Sequence, residues 1–220
     1  MNIIKKSIVL ITGLVFLLSG TWFLLRNIIL GSFNVLYYRL VPRGIGPLLF
    51  IVGISILIIG IGIEHKMKRL INITISISFI FYLFELVFVL FFEPRGYLSG
   101  MILLDYIKQS SNVIPFKNIS TYARALFDGS MNMDIPLTNL FGNLLLFLPM
   151  GVYFPYCIKK ANKISVYCIC MIIILFIIEI VQLITRRGIF DIDDIILRIL
   201  GAFIGFTIYK SKAVQNILNW

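Results

Sequence analysis

Histidine, cysteine and acidic residues are scarce in this chain, and each scarcity removes a class of function. There is one histidine, His65, in 220 residues, and it sits in a basic stretch. It reads as a solvated loop residue with no partners for a Ser-His-Asp arrangement. Neither HExxH, GxSxG nor a P-loop occurs. The three cysteines, Cys157, Cys168 and Cys170, are an odd number with no CxxC pair. That leaves no disulfide framework and no thiolate zinc site. They read as small apolar packing residues, although Cys157 beside Lys159 and Lys160 suits acylation. Acids number 10 against 20 Lys and Arg, a net charge of +10. The excess does not point to nucleic acid. The basic residues form short clusters between apolar runs, the pattern of membrane anchors, and no nucleic-acid-binding motif is present.

What the chain has is hydrocarbon. It is 60% hydrophobic and 14% charged, with a mean hydropathy of +0.99. A soluble domain carries about 25% charge. The composition predicts a polytopic transmembrane all-α bundle. Six apolar runs are long enough for spans of about 17–25 residues: Ile8 to Leu25, Gly44 to Ile63, Leu70 to Phe92, Asn139 to Ile158, Ile164 to Ile184 and Ile192 to Tyr209. The first follows Lys5 and Lys6 but lacks a cleavage site, so it reads as an uncleaved helix. Compact basic clusters at Lys66–Arg69, Lys159–Lys163 and Lys210–Lys212 place both termini inside. The long segment from Glu93 to Pro136 then lies outside. Asn118–Phe127 within it predicts an amphipathic surface helix capped by Ser120, with Tyr122, Leu126 and Phe127 on its apolar side. Residues 1–65 read as a separate helix pair preceding a membrane domain over 66–220.

Polar groups interrupt the last three runs. One such group at membrane depth costs about 2.5–3.5 kcal/mol, so several together imply mutual satisfaction or a ligand. Helical spacing puts Glu179, Gln182 and Arg186 on one face, and Asn139, Gly142 and Asn143 on another. Asp191, Asp194, Arg198, Gly201 and Gly205 form a stripe along the sixth run. Its Gly201 to Gly205 portion predicts close helix packing, and Asp191 or Asp193 suits a helix N-cap. The candidate ligand-binding set is therefore Asn139, Asn143, Glu179, Gln182, Arg186, Asp191, Asp194 and Arg198. Its arginines, with Lys117, Arg124 and Arg95 from the loop, suit a phosphate or carboxylate. Asp191, Asp193 and Asp194, with Glu179, suit a divalent cation. The bland alternative is that acids and arginines pair internally and only fix helix register. Glu85 in the third run is a further buried acid, and Pro149 predicts a kink in the fourth.

Three functions remain open on these residues. One is a non-enzymatic binder of an anionic envelope ligand, a lipid-linked phosphate or lipoglycopeptide, among membrane lipids. Another is a metal-dependent enzyme acting on a lipid phosphate. The third is a small transporter subunit using the acids as a proton relay.

The ordered set Asn112-Val113-Ile114-Pro115-Phe116, Asn139-Leu140-Phe141-Gly142-Asn143, Glu179-Ile180-Val181-Gln182, Arg186 and Phe190-Asp191-Ile192-Asp193-Asp194, leading to Gly201 and Gly205, resembles the VanZ-like family of bacterial membrane proteins. The resemblance covers roughly the second half of the chain. It implies a multi-pass protein of the bacterial cell membrane, in a family named for a member linked to teicoplanin resistance. That family usually carries asparagine where this chain has Arg198.

Overall fold

The computed structural model describes residues 3–31, 45–92 and 102–218. Arg95, singled out from the sequence, lies outside them. The described chain is all-α apart from one two-residue parallel bridge. Its helices are α1 (Ile3–Gly31), α2 (Ile45–Glu64), α3 (Lys68–Phe91), α4 (Leu103–Gln109), α5 (Lys117–Asp128), α6 (Asp134–Leu137), α7 (Asn143–Cys157), α8 (Ile164–Ile184), α9 (Ile192–Lys210) and α10 (Lys212–Leu218). A π-helical turn, Thr138–Gly142, joins α6 to α7. Among the described residues three helices are long and apolar enough to cross a membrane: Lys68–Phe91, Asp134–Cys157 and Ile164–Ile184. Shorter apolar stretches occupy Val9–Trp22 and Leu49–Ile63.

The helices divide into two compact units, one reaching from the N-terminus to Val89 with the last few residues, the other Leu90–Gln215. In the first, α1 and α2 touch through Gly20 of α1 and Gly53 of α2. A Cβ on Gly20 would lie 2.3 Å from the Phe50 nitrogen, and one on Gly53 2.5 Å from the Leu17 nitrogen. Backbones that close gain dispersion contacts, which drive helix pairing where lipid competes for apolar surface. A buried hydrogen bond of 2.6 Å between the Ser55 and Ser78 hydroxyls ties α2 to α3.

In the second unit the seam expected from Gly201 and Gly205 is present, and its partner is α7. A Cβ on Gly201 would fall 1.9 Å from the Leu144 carbonyl oxygen, and one on Gly205 2.0 Å from that of Leu148. Gly151 of α7 answers them: a Cβ there would lie 2.2 Å from the Ala202 oxygen. Helix α8 covers this pair: the Tyr167 hydroxyl donates to Ala202 O at 3.0 Å and its ring stacks on Phe206 at 4.6 Å. Phe147, Leu175 and Ala202 are wholly buried beside them. This rigid three-helix core carries the polar residues at one end.

The bridge pairs Ser111–Asn112 (β1) with Phe190–Asp191 (β2) in parallel. It fastens the segment before α5 to the chain entering α9. Helix α5 begins one residue earlier than the spacing predicts, and Ser120 is not its cap. Ser120 instead turns its hydroxyl back to Lys117 O, as a hydroxyl inside a first turn commonly does. Phe127 also departs from the expected apolar side: it is 92% exposed, while Ala125 is fully buried.

Candidate functional site

Four carboxylates and one guanidinium meet where α9 begins. Asp191 is the N-cap of α9, in extended backbone, and its Oδ1 accepts the Asp193 N–H at 2.9 Å. The same side chain reaches the segment bridged to it. Asn112 Nδ2 donates to Oδ1 at 2.9 Å, and Asn118 Nδ2 to Oδ2 at 2.6 Å. Asp193 points the other way and caps α5. Its Oδ1 accepts the Phe116 N–H at 2.5 Å, and its Oδ2 accepts those of Asn118 at 2.7 Å and Ile119 at 3.0 Å. These are among the donors a helix leaves unsatisfied at its start. Phe116 sits at φ 65, a left-handed conformation costing about 1–3 kcal/mol. Charge-assisted bonds to Asp193 offset that strain.

Arg198, two turns into α9, is 1% exposed. Its NH1 donates to Glu179 Oε1 of α8, its NH2 to Asp194 Oδ2 at 3.1 Å and its Nε to Asn143 Oδ1 at 3.0 Å. Its carbon centre lies 5.8 Å from the Phe147 ring. Asn143 completes the circuit by donating to Asp194 Oδ1 at 2.7 Å. Glu179 Oε2 accepts the Asp191 N–H at 3.1 Å. Each carboxylate oxygen of Glu179, Asp191, Asp193 and Asp194 thus accepts at least one N–H.

The knot carries four formal negative charges against one positive. Two helix N-termini, α5 and α9, add about +0.5 each. An interior of this sign binds cationic groups and repels anions. Its carboxylates are already engaged, and among the described residues no three His, Cys, Asp or Glu side chains converge as a metal site. Asp191 and Asp193 are both buried and turn to different partners. Asp191 caps α9 and Asp193 caps α5.

The remaining candidates are spread around this centre. Asn139 donates back to Ile135 O at 2.8 Å, while its own carbonyl accepts from Asn143. The π turn Thr138–Gly142 holds Asn139 and ends just before Asn143, and the Asn143 Nδ2 bond to Asn139 O at 3.1 Å keeps the two residues adjacent. Gln182 donates to Leu90 O at 2.8 Å and is 1% exposed. Arg186 lies beyond the end of α8 at φ 56, so it leaves the face of Glu179 and Gln182. The bonds Arg187 N–H to Gln182 O and Arg186 N–H to Leu183 O form a Schellman closure. Arg186 then lies over Tyr106 at 5.8 Å, and the Tyr106 hydroxyl donates to Gly188 O at 2.9 Å.

The spacing argument missed Asn118, Ile119 and the Phe116 backbone. The polar Asn112 and Asn118 flanking Pro115-Phe116 were the available signal. Tyr122 is a further member, half-buried in α5. Burial, and then the charges of Asp194 and Asp191, push its phenol above the ordinary range. Asp128 at the end of α5 is held below the usual carboxylate range by hydrogen bonds from Ser130, whose N–H donates at 2.9 Å.

No curated protein and no solved structure matches this chain. Residues 79–215 match VanZ/LLP1, a stretch that holds Asn112, Phe116, Asn118, Asn143, Glu179, every member of the α9 cluster and the glycine seam. Covering more than half of the sequence, the match establishes that the chain belongs to the VanZ/LLP1 family.

Proposed function

We propose that this chain is a multi-pass protein of the bacterial cell membrane whose outer face binds an anionic envelope ligand and so modulates glycopeptide sensitivity. On this reading about six helices span the bilayer with both termini inside, the pair within residues 1–65 preceding a membrane domain over 66–220. The ligand class is a lipid-linked phosphate or a lipoglycopeptide. The knot positions the binding surface and does not itself form it. Arg198 spends its fork on Glu179, Asp194 and Asn143, inside a cluster of net negative charge. The cations suited to an anion are on the exposed surface.

The observation that carries the reading is the clamp of Asp193 on α5. It fixes a helix whose Lys117 and Arg124, seven residues apart, share one exposed face. Exposed Phe116 and Phe127 flank that helix, as expected of an element lying at a headgroup boundary. Arg186 over Tyr106 supplies a third cation from the end of α8. The test uses the full chain in nanodiscs with undecaprenyl phosphate against undecaprenol, read by native mass spectrometry. The phosphate form is retained preferentially, and Lys117→Gln/Arg124→Gln lowers its retention about tenfold or more. Equal retention of the two lipids, or no effect of the double variant, overturns the reading.

A further inference from the structure

The end of the second unit opposite the carboxylates is entirely basic. Lys159 and Lys160 lie on the 3₁₀ turn after α7, Lys163 is the N-cap of α8, Lys210 ends α9 and Lys212 opens α10. All five are exposed. The two chain segments are tied together, because Lys210 Nζ donates to Asn162 Oδ1. Lys210 is further held over Phe206 at 5.5 Å and Tyr209 at 5.9 Å. Gln215 Nε2 donates to Tyr209 O at 2.6 Å and fixes α10 against the end of α9.

Along α7, α8 and α9 no acid lies close to that charge. Between Leu140 and Lys212 the acids are Glu179, Asp191, Asp193 and Asp194. Fifteen or sixteen helical residues separate them from the lysines, about 22–24 Å, against a Debye length of about 8–10 Å. The C-terminal dipoles of α7 and α9 offer about −0.5 each, which leaves most of the five charges uncompensated. A surface of this kind, set at the ends of apolar helices, matches a membrane of acidic lipids.

We propose that the turn Lys159–Asn162 and the ends of α8, α9 and α10 form a binding site for the phosphate headgroup of an acidic glycerophospholipid. Lys159, Lys160, Lys163 and Lys212 face the anion, while Lys210, bound to Asn162, joins the two segments. The site is independent of the outer-face reading, and its test leaves Lys117 and Arg124 untouched.

The experiment is native mass spectrometry of the full chain, offered equal phosphatidylglycerol and phosphatidylcholine with the same acyl chains. Phosphatidylglycerol is retained in excess. The quadruple variant Lys159→Gln/Lys160→Gln/Lys163→Gln/Lys212→Gln lowers that preference about a hundredfold, and the corresponding Lys→Arg variant keeps it. Loss in both variants, or no loss in the Gln variant with an unchanged melting midpoint, overturns the site. Displacement of the lipid by millimolar inorganic phosphate overturns the lipid as its occupant and assigns the lysines to free phosphate.

Discussion

Asp193 Oδ2 accepts the backbone N–H of Asn118 at 2.7 Å across 75 residues of sequence. A carboxylate in the first turn of α9 is therefore the N-terminal cap of α5. One side chain belongs to the start of two helices, and α5 is held by the start of α9.

Arg198 is the cation on which the knot depends. Replacing it by methionine leaves the buried Glu179 without its guanidinium and takes one donor from the half-buried Asp194. Loss of one member of a buried pair costs about 3–5 kcal/mol, so the melting midpoint in detergent falls by about 10 °C. Arg198→Lys keeps the charge but loses the fork and recovers part of the loss. A double variant, Arg198→Met/Glu179→Gln, is more stable than Arg198→Met alone. Equal stability of Arg198→Met and the wild type contradicts this.

The seam between α7 and α9 makes a steric prediction. Gly201→Ala drives a methyl into the Leu144 carbonyl and destabilises by about 1–3 kcal/mol. Gly142→Ala is the control. Its backbone is helical at φ −61, and its nearest neighbour would be Thr138 Cγ2 at 3.7 Å. It is neutral or slightly stabilising. Melting midpoints that coincide for the two variants refute the close approach.

Tyr122 gives a pH dependence. Its pKa is raised in the folded state, so its contribution is intact below about pH 10, the unfolded value. It is lost as pH rises through the higher folded value, because ionisation adds a negative charge near Asp194 and Asp191. Stability of the wild type therefore falls more steeply above pH 10 than that of Tyr122→Phe. Parallel curves from pH 9 to 12 contradict the placement of the phenol.

Divalent cations have little to gain at Asp191 and Asp193, whose oxygens already accept six N–H groups. Millimolar magnesium, calcium or zinc leaves the melting midpoint unchanged. A saturable rise abolished by Asp191→Asn overturns this.

Period and hydropathy carried much of the architecture. Helix α8 spans Ile164–Ile184, the bounds of the fifth apolar run, because no polar residue interrupts it until its C-terminal turns. The Gly201 to Gly205 seam was readable for the same reason: small residues four apart define a face without knowledge of the partner. The residue pairings were not readable. The π turn interrupts the helix just before Asn143, and the left-handed Arg186 takes that arginine off the α8 face. Neither departure has a marker in helical spacing, since both begin where a regular helix stops. The Asp193 cap is non-local, and local patterns favoured Ser120, which stood nearby. Arg198 was recognised as unusual, but only its burial shows that Glu179 and Asp194 consume it.

The central claim, that buried acids of α9 hold the surface helix, is tested most directly by hydrogen exchange. Asp193→Ala removes three charge-assisted bonds to Phe116, Asn118 and Ile119. Peptides covering residues 116–128 should then exchange at least about tenfold faster, since each orphaned donor costs about 1–3 kcal/mol. Peptides within Ile164–Ile184 should keep their wild-type protection. Unchanged protection over residues 116–128 in a folded Asp193→Ala protein contradicts the claim.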